Sequence, residues 1–75
     1  MDTIMQPRET TGIVDRIEPN GVVFVHELET GKLGFLANTT PVQGGVILKP
    51  GLRLTLQVED RGNVMIVATA RATDG

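Results

Sequence analysis

The sequence predicts an all-β protein, a small closed barrel of five strands. Three observations carry this. Residues 52–58, LRLTLQV, alternate Leu and Val with polar residues, which is the period of a strand with one dry and one wet face. Four further short runs rich in Val, Ile and Phe are separated by Gly, Asn and Pro, the pattern of strands joined by turns. The one long connection, residues 39–51, is punctuated by Pro41, Gly44, Gly45 and Pro50, which leave no room for a helix of more than about a turn or two.

The first nine residues have no apolar period and contain Pro7, so residues 1–10 are expected to form a loosely docked arm. Strand one is placed at residues 11–18, where Ile13, Val14 and Ile17 supply β-branched apolar side chains. Pro19-Asn20-Gly21 ends it with a strong turn signal. Strand two is placed at residues 22–28, with Val22, Phe24, His26 and Leu28 on one face and Val23, Val25 and Glu27 on the other. Both faces are partly apolar, so periodicity alone does not choose the buried one. Glu29-Thr30-Gly31-Lys32 forms the next turn, and strand three covers residues 33–38.

In the connection, Val46-Ile47-Leu48 is apolar enough to close an open end of the barrel. Strand four is the alternating run 52–58. Glu59 to Asn63 form a hairpin loop with Gly62 at a left-handed position. Strand five is placed at 64–71, VMIVATAR, and residues 72–75 are left as a tail. A five-stranded sheet in a chain this short removes its exposed edges best by curling closed. The strand count and the position of the long connection fit the five-stranded Greek-key OB-fold.

Seventy-five residues make one domain, with little surface to bury. No cysteine is present, so disulfides and thiolate metal sites are excluded. There is no serine and a single histidine, which removes the serine triad and leaves no support for catalysis. His26 has only Glu27 and Glu29 close in sequence, too few ligands for a metal. No cofactor is expected. No apolar stretch approaches the roughly 20 residues of a membrane span, so the default expectation is a cytoplasmic soluble protein. Nine acidic residues against seven basic give a net charge of −2, which argues against strong non-specific binding to nucleic acid.

With the strands placed, residues 11–71 resemble the cold-shock domain and its relative, the S1 RNA-binding domain. Gly12-Ile13-Val14 is similar to the G-x-V that opens the first strand of both. Residues 20–25, NGVVFV, occupy the place of the first cold-shock motif, K-G-F-G-F-I, and residues 34–37, GFLA, that of the second, V-F-V-H. Lys49-Pro50-Gly51 leads into strand four as in the family, and residues 31–36, GKLGFL, resemble the S1 pattern G-x-x-G-L-V. Phe24 and Phe35 keep the motif rings, whereas Val22 stands where the family has an aromatic, Ala37 at the motif histidine and Arg16 at the first strand's tryptophan.

The resemblance implies an outer face carrying Arg16, Val22, Phe24, His26 and Phe35, with Val14, Ile17, Val23, Val25 and Leu36 inside. Lys32 and Arg53 would add phosphate contacts. The implied function is non-catalytic, weak binding of single-stranded RNA or DNA, each base stacking on a flat side chain. The alternative reading of the two rings is core packing. The alternative function is a protein-interaction or structural OB module, self-association included, that has lost nucleic-acid binding. The acidic balance and the apolar outer positions expected at Val22, Met65 and Val67 support it.

Overall fold

The computed structural model describes residues 7–73. They form six strands: β1 (Arg8–Ile17), β2 (Val23–Glu27), β3 (Leu33–Leu36), β4 (Val42–Gln43), β5 (Arg53–Arg61) and β6 (Val64–Ala72). Five of them close a barrel. The hydrogen-bonded order is β3-β2-β1-β5-β6, and β3 then pairs with β6 in parallel to complete the ring. This is the OB arrangement, and the two-residue β4 is an addition that lies parallel to the far end of β6. Among the described residues, no helix is long and apolar enough to cross a membrane.

Alternation along the strands builds the core. Val14 of β1, Val23 and Val25 of β2, and Leu36 of β3 point inward with Leu54, Leu56 and Val58 of β5 and Met65, Val67 and Ala70 of β6. Val42, Val46, Leu48 and Leu52 pack over one end of this cluster. The seam between β3 and β6 depends on Gly34. A Cβ there would lie 3.1 Å from Met65 Cε and 3.2 Å from the Met65 carbonyl oxygen. The missing side chain lets Met65, itself fully buried, fill the interior behind β3.

At the other end the inward face becomes polar. Continuing the same alternation past the aliphatic residues brings together Arg8 and Thr10 of β1, Glu27 of β2, Asp60 of β5, and Lys32 from the turn before β3. Arg8 donates to both oxygens of Glu27, at 2.6 and 3.2 Å, and to both oxygens of Asp60, at 2.7 and 2.9 Å. The hydroxyls of Thr10 and Thr30 also donate to Glu27, and Lys32 Nζ reaches Asp60 at 2.8 Å. Glu27 is 2% exposed, so this lattice of donors is what keeps a buried carboxylate tolerable. The Arg8 guanidinium, aided by the two hydroxyls, holds the Glu27 pKa down at about 2 against the opposing effect of burial.

Several boundaries differ from expectation. Arg8 to Thr10 are strand rather than arm, because Arg8 anchors them to β2 and β5; residues 1–6 of the expected arm lie outside the described residues. Ala72 ends β6 rather than opening a tail, and residues 74–75 lie outside the described residues. The β5–β6 hairpin loop shrinks from five residues to Gly62-Asn63, since Arg61 pairs with Val64. Gly62 has φ 61° and Asn63 has no positive φ, the pattern of a type II′ turn. Ile47 does not close the barrel end: it is 82% exposed, and its neighbours Val46 and Leu48 pack instead.

Two parity expectations also change. Ile17 faces Val23 in register but sits at the last pair of β1, beyond the packed interior, and is 41% exposed. Met65 and Val67 are buried, not outer. The sequence VMIVATAR is apolar on both faces, and its pairing with Leu33, Gly34 and Phe35 of β3 and with β5 decides between them. A register shift opposite Gln57 and Val58 leaves Ala68 unpaired, so the inward set continues at Ala70.

Two outcomes test this packing. Gly34→Ala should cost about 1–3 kcal/mol in urea unfolding, because the seam must open to admit the methyl group; unchanged stability would contradict a close β3–β6 contact. Glu27 has a folded pKa below its unfolded one, so its contribution is complete above pH ~4.5 and is lost as pH falls toward 2. Urea midpoints measured from pH 7 to pH 2 should therefore drop below about pH 4.5, and Glu27→Gln should lower stability at pH 7 by about 2 kcal/mol while flattening that drop. A Glu27→Gln protein with the parent's acid profile would contradict it.

Candidate nucleic-acid interface

The outward positions of β1, β2, β3 and β6 carry the two rings. Glu27 N–H donates to the Lys32 carbonyl at 2.8 Å. Hydrogen-bonded and open pairs alternate along an antiparallel ladder, so Phe24 and Phe35, opposite each other, form an open pair with Cα atoms about 4.5 Å apart. Two registers extend from these strands. Arg16 faces Phe24, Phe24 faces Phe35, and Phe35 lies beside Ile66. In the second row Ile13 faces His26, His26 faces Leu33, and Leu33 lies beside Val64. Phe35 is 44% and Leu33 54% exposed, and Val64 and Ile66 are exposed as well.

A β-bulge makes the polar side of this face. β1 pairs Val14 with Val25 and then Arg16 with Phe24, so Asp15 is the extra residue. A bulge presents consecutive side chains where a regular strand would alternate them, and both Asp15 and Arg16 are exposed. The Arg16 guanidinium lies over the Phe24 ring, 4.6 Å from its centroid, within cation–π range. Its Nε also contacts Glu18 at 3.0 Å. Both partners are solvent-exposed, a geometry worth little and easily exchanged. His26 Nδ1 meets Asp15 Oδ1 at 2.6 Å. A shallow cavity of about 200 Å³, lined by Asp15, Arg16, Phe24 and Leu33, opens between the two rows.

Of the residues expected at this site, the fold brings Arg16, Phe24, His26 and Phe35 together. The core reading of the two rings does not hold: neither belongs to the buried cluster. Val22 lies in the turn before β2, half-buried, its carbonyl accepting from Glu18 N–H at 2.8 Å. Lys32 is directed to the polar end of the barrel and engaged by Asp60, because it shares the inward parity of Glu27. Arg53 lies in the second row, beyond Ile13. Among the described residues Arg53, Lys49 and Arg61 are the cations without an ion pair. Leu33 shares the face of Phe35, as the alternation of strand three predicts, whereas sequence reasoning missed Val64 and Ile66 as outer apolar positions and Asp15 as a polar one. The parity of β6 and the bulge decide these, and neither has a period in the sequence.

No family model matches the chain, and no curated protein sequence matches it. A search of solved structures finds the 1.0 Å structure of a tryptophan-to-alanine variant of CusF with Cu(II), residues 10–88, from Escherichia coli. It is 14% identical, superposes with a TM-score of 0.63, and the match covers 99% of this chain and 100% of that one. The likeness is one of fold, an OB-like barrel.

Proposed function

We propose that this protein binds single-stranded RNA or DNA, without catalysis, on the outer face of β1, β2 and β3. The observation that carries the reading is the Phe24–Phe35 pair: the only two phenyl rings of the chain stand side by side on the outside of the barrel. Two adjacent flat faces on a rigid sheet suit two successive unpaired bases, each worth about 1–3 kcal/mol of stacking. Arg16 sits over one ring and can exchange Glu18 for a phosphate. Arg53, without an ion pair among the described residues, supplies a second cation. The resemblance to cold-shock and S1 domains points the same way, and a reducing cytoplasm suits a chain without cysteine.

Affinity on this reading is modest and only mildly salt-dependent, since few cations are free to neutralise phosphate. The copper of the CusF structure belongs to that protein. Among the described residues of this chain, no three His, Cys, Asp or Glu side chains gather as a metal site would require.

A second reading rests on Leu33, Val64 and Ile66, which continue the rings as an exposed aliphatic stripe onto β6. A stripe of that kind marks a surface for an apolar protein partner or a second copy of the chain.

One experiment separates the two. Phe24→Ala with Phe35→Ala should lower affinity for a mixed-sequence oligonucleotide at least tenfold by fluorescence anisotropy, and lower the urea midpoint only modestly, because Phe35 is exposed, Phe24 half-buried, and neither belongs to the core. The parent's log–log slope of affinity against salt should be about −1.4, from two phosphates neutralised on a single strand. A double variant that binds as the parent does would remove the stacking platform. Concentration-dependent self-association that is indifferent to salt, with no oligonucleotide binding, would favour the second reading.

A further inference from the structure

The bulge at Asp15 does more than tilt a strand. It sets a carboxylate and a guanidinium side by side at the mouth of the cavity beside Phe24, where a regular strand would have put only one of them. Leu33 forms the apolar wall opposite. Asp15 is fixed in place, because His26 Nδ1–H donates to its Oδ1 at 2.6 Å. Among the described residues, no protein donor reaches its other oxygen, Oδ2. A base that displaces the Arg16 guanidinium from over the Phe24 ring and stacks there presents its edge to an acceptor with capacity to spare, with the displaced donors of Arg16 at its side.

We infer that Asp15 reads the base seated on Phe24 and selects one that carries an exocyclic amino group, cytosine over thymine or uracil. The inference rests on the nucleic-acid reading of the same face. A carboxylate only accepts hydrogen bonds. The 4-amino group of cytosine projects from the ring edge and donates to it, as Asp and Glu do when they recognise cytosine. The neighbouring N3 of cytosine is an acceptor suited to Arg16. Thymine and uracil present the O4 carbonyl at the same corner, whose lone pairs repel the carboxylate. Their single N3–H is flanked by two carbonyl oxygens, which hinder approach by an anion. Discrimination on this account includes a repulsive element against the wrong base as well as an attractive one for the right base. His26 is a positioning residue: it holds Asp15 and touches no base in this arrangement.

The test compares dC and dT homo-oligomers of equal length on the full chain by fluorescence anisotropy at low salt and pH 7.5. The parent should bind dC about tenfold tighter than dT, the scale of one base-edge hydrogen bond. Asp15→Asn keeps the shape and an acceptor for His26 but adds donors that can satisfy O4. It should bring the dC:dT ratio to about one, chiefly by strengthening dT. Equal or tighter binding of dT by the parent, or an unchanged ratio in Asp15→Asn, would overturn the assignment of Asp15 and leave the stacking platform standing. Failure of both oligomers to bind would overturn both readings.

Discussion

The barrel closes by setting β3 directly against β6, and most of the molecule follows from that contact. Gly34 contributes no side chain at the seam, and Met65 occupies the space behind it. A barrel of five strands has little interior, and here ten residues, aliphatic apart from the thioether of Met65, fill it. Neither phenyl ring belongs to this core. Phe24 and Phe35 lie in the outward register of β2 and β3, next to each other, because the pairing that closes the ring also fixes which residue of each strand faces in. The position of the two rings is thus a consequence of how the core is filled.

The polar end of the barrel shows the same logic carried one step further. The inward rows of β1, β2 and β5 outrun the aliphatic core and end in Arg8, Thr10, Glu27 and Asp60. Without mutual pairing, a buried carboxylate would cost several kcal/mol. With Arg8 spanning Glu27 and Asp60, these groups tie the start of β1 to both neighbouring strands. That network also draws Lys32 away from the outer face. Together with the Arg16–Glu18 and His26–Asp15 contacts, it leaves the ring platform with little net positive charge. On the proposed reading, such a surface favours flat, uncharged groups over phosphates.

Much of the fold was legible in the residues. The alternation LRLTLQV, the turn residues at Asn20-Gly21 and Gly62, and the broken stretch between Pro41 and Pro50 were enough for the barrel. The outward placement of Phe24, His26 and Phe35 was legible only through the family-like register, since β2 is apolar on both faces. Three things were not legible. The bulge at Asp15 adds a residue without leaving a period. Burial of Met65 depends on its pairing with Gly34 of β3, far away in sequence, and that of Val67 on the register against Val58 of β5. The engagement of Lys32 depends on Asp60, which reaches it only after the ring has closed. Each is a long-range pairing, and local pattern carries no information about it.

The central claim is that Phe24 and Phe35 are open to unpaired bases. Aromatic carbon–proton NMR spectra of the phenylalanines, recorded during addition of a single-stranded oligonucleotide, address it most directly, because the chain has no other aromatic rings than these and His26. Stacking predicts upfield ring-current shifts of the protons of both phenyl rings, saturating together. Rings that keep their free-state shifts while backbone amides elsewhere on the barrel respond would contradict it.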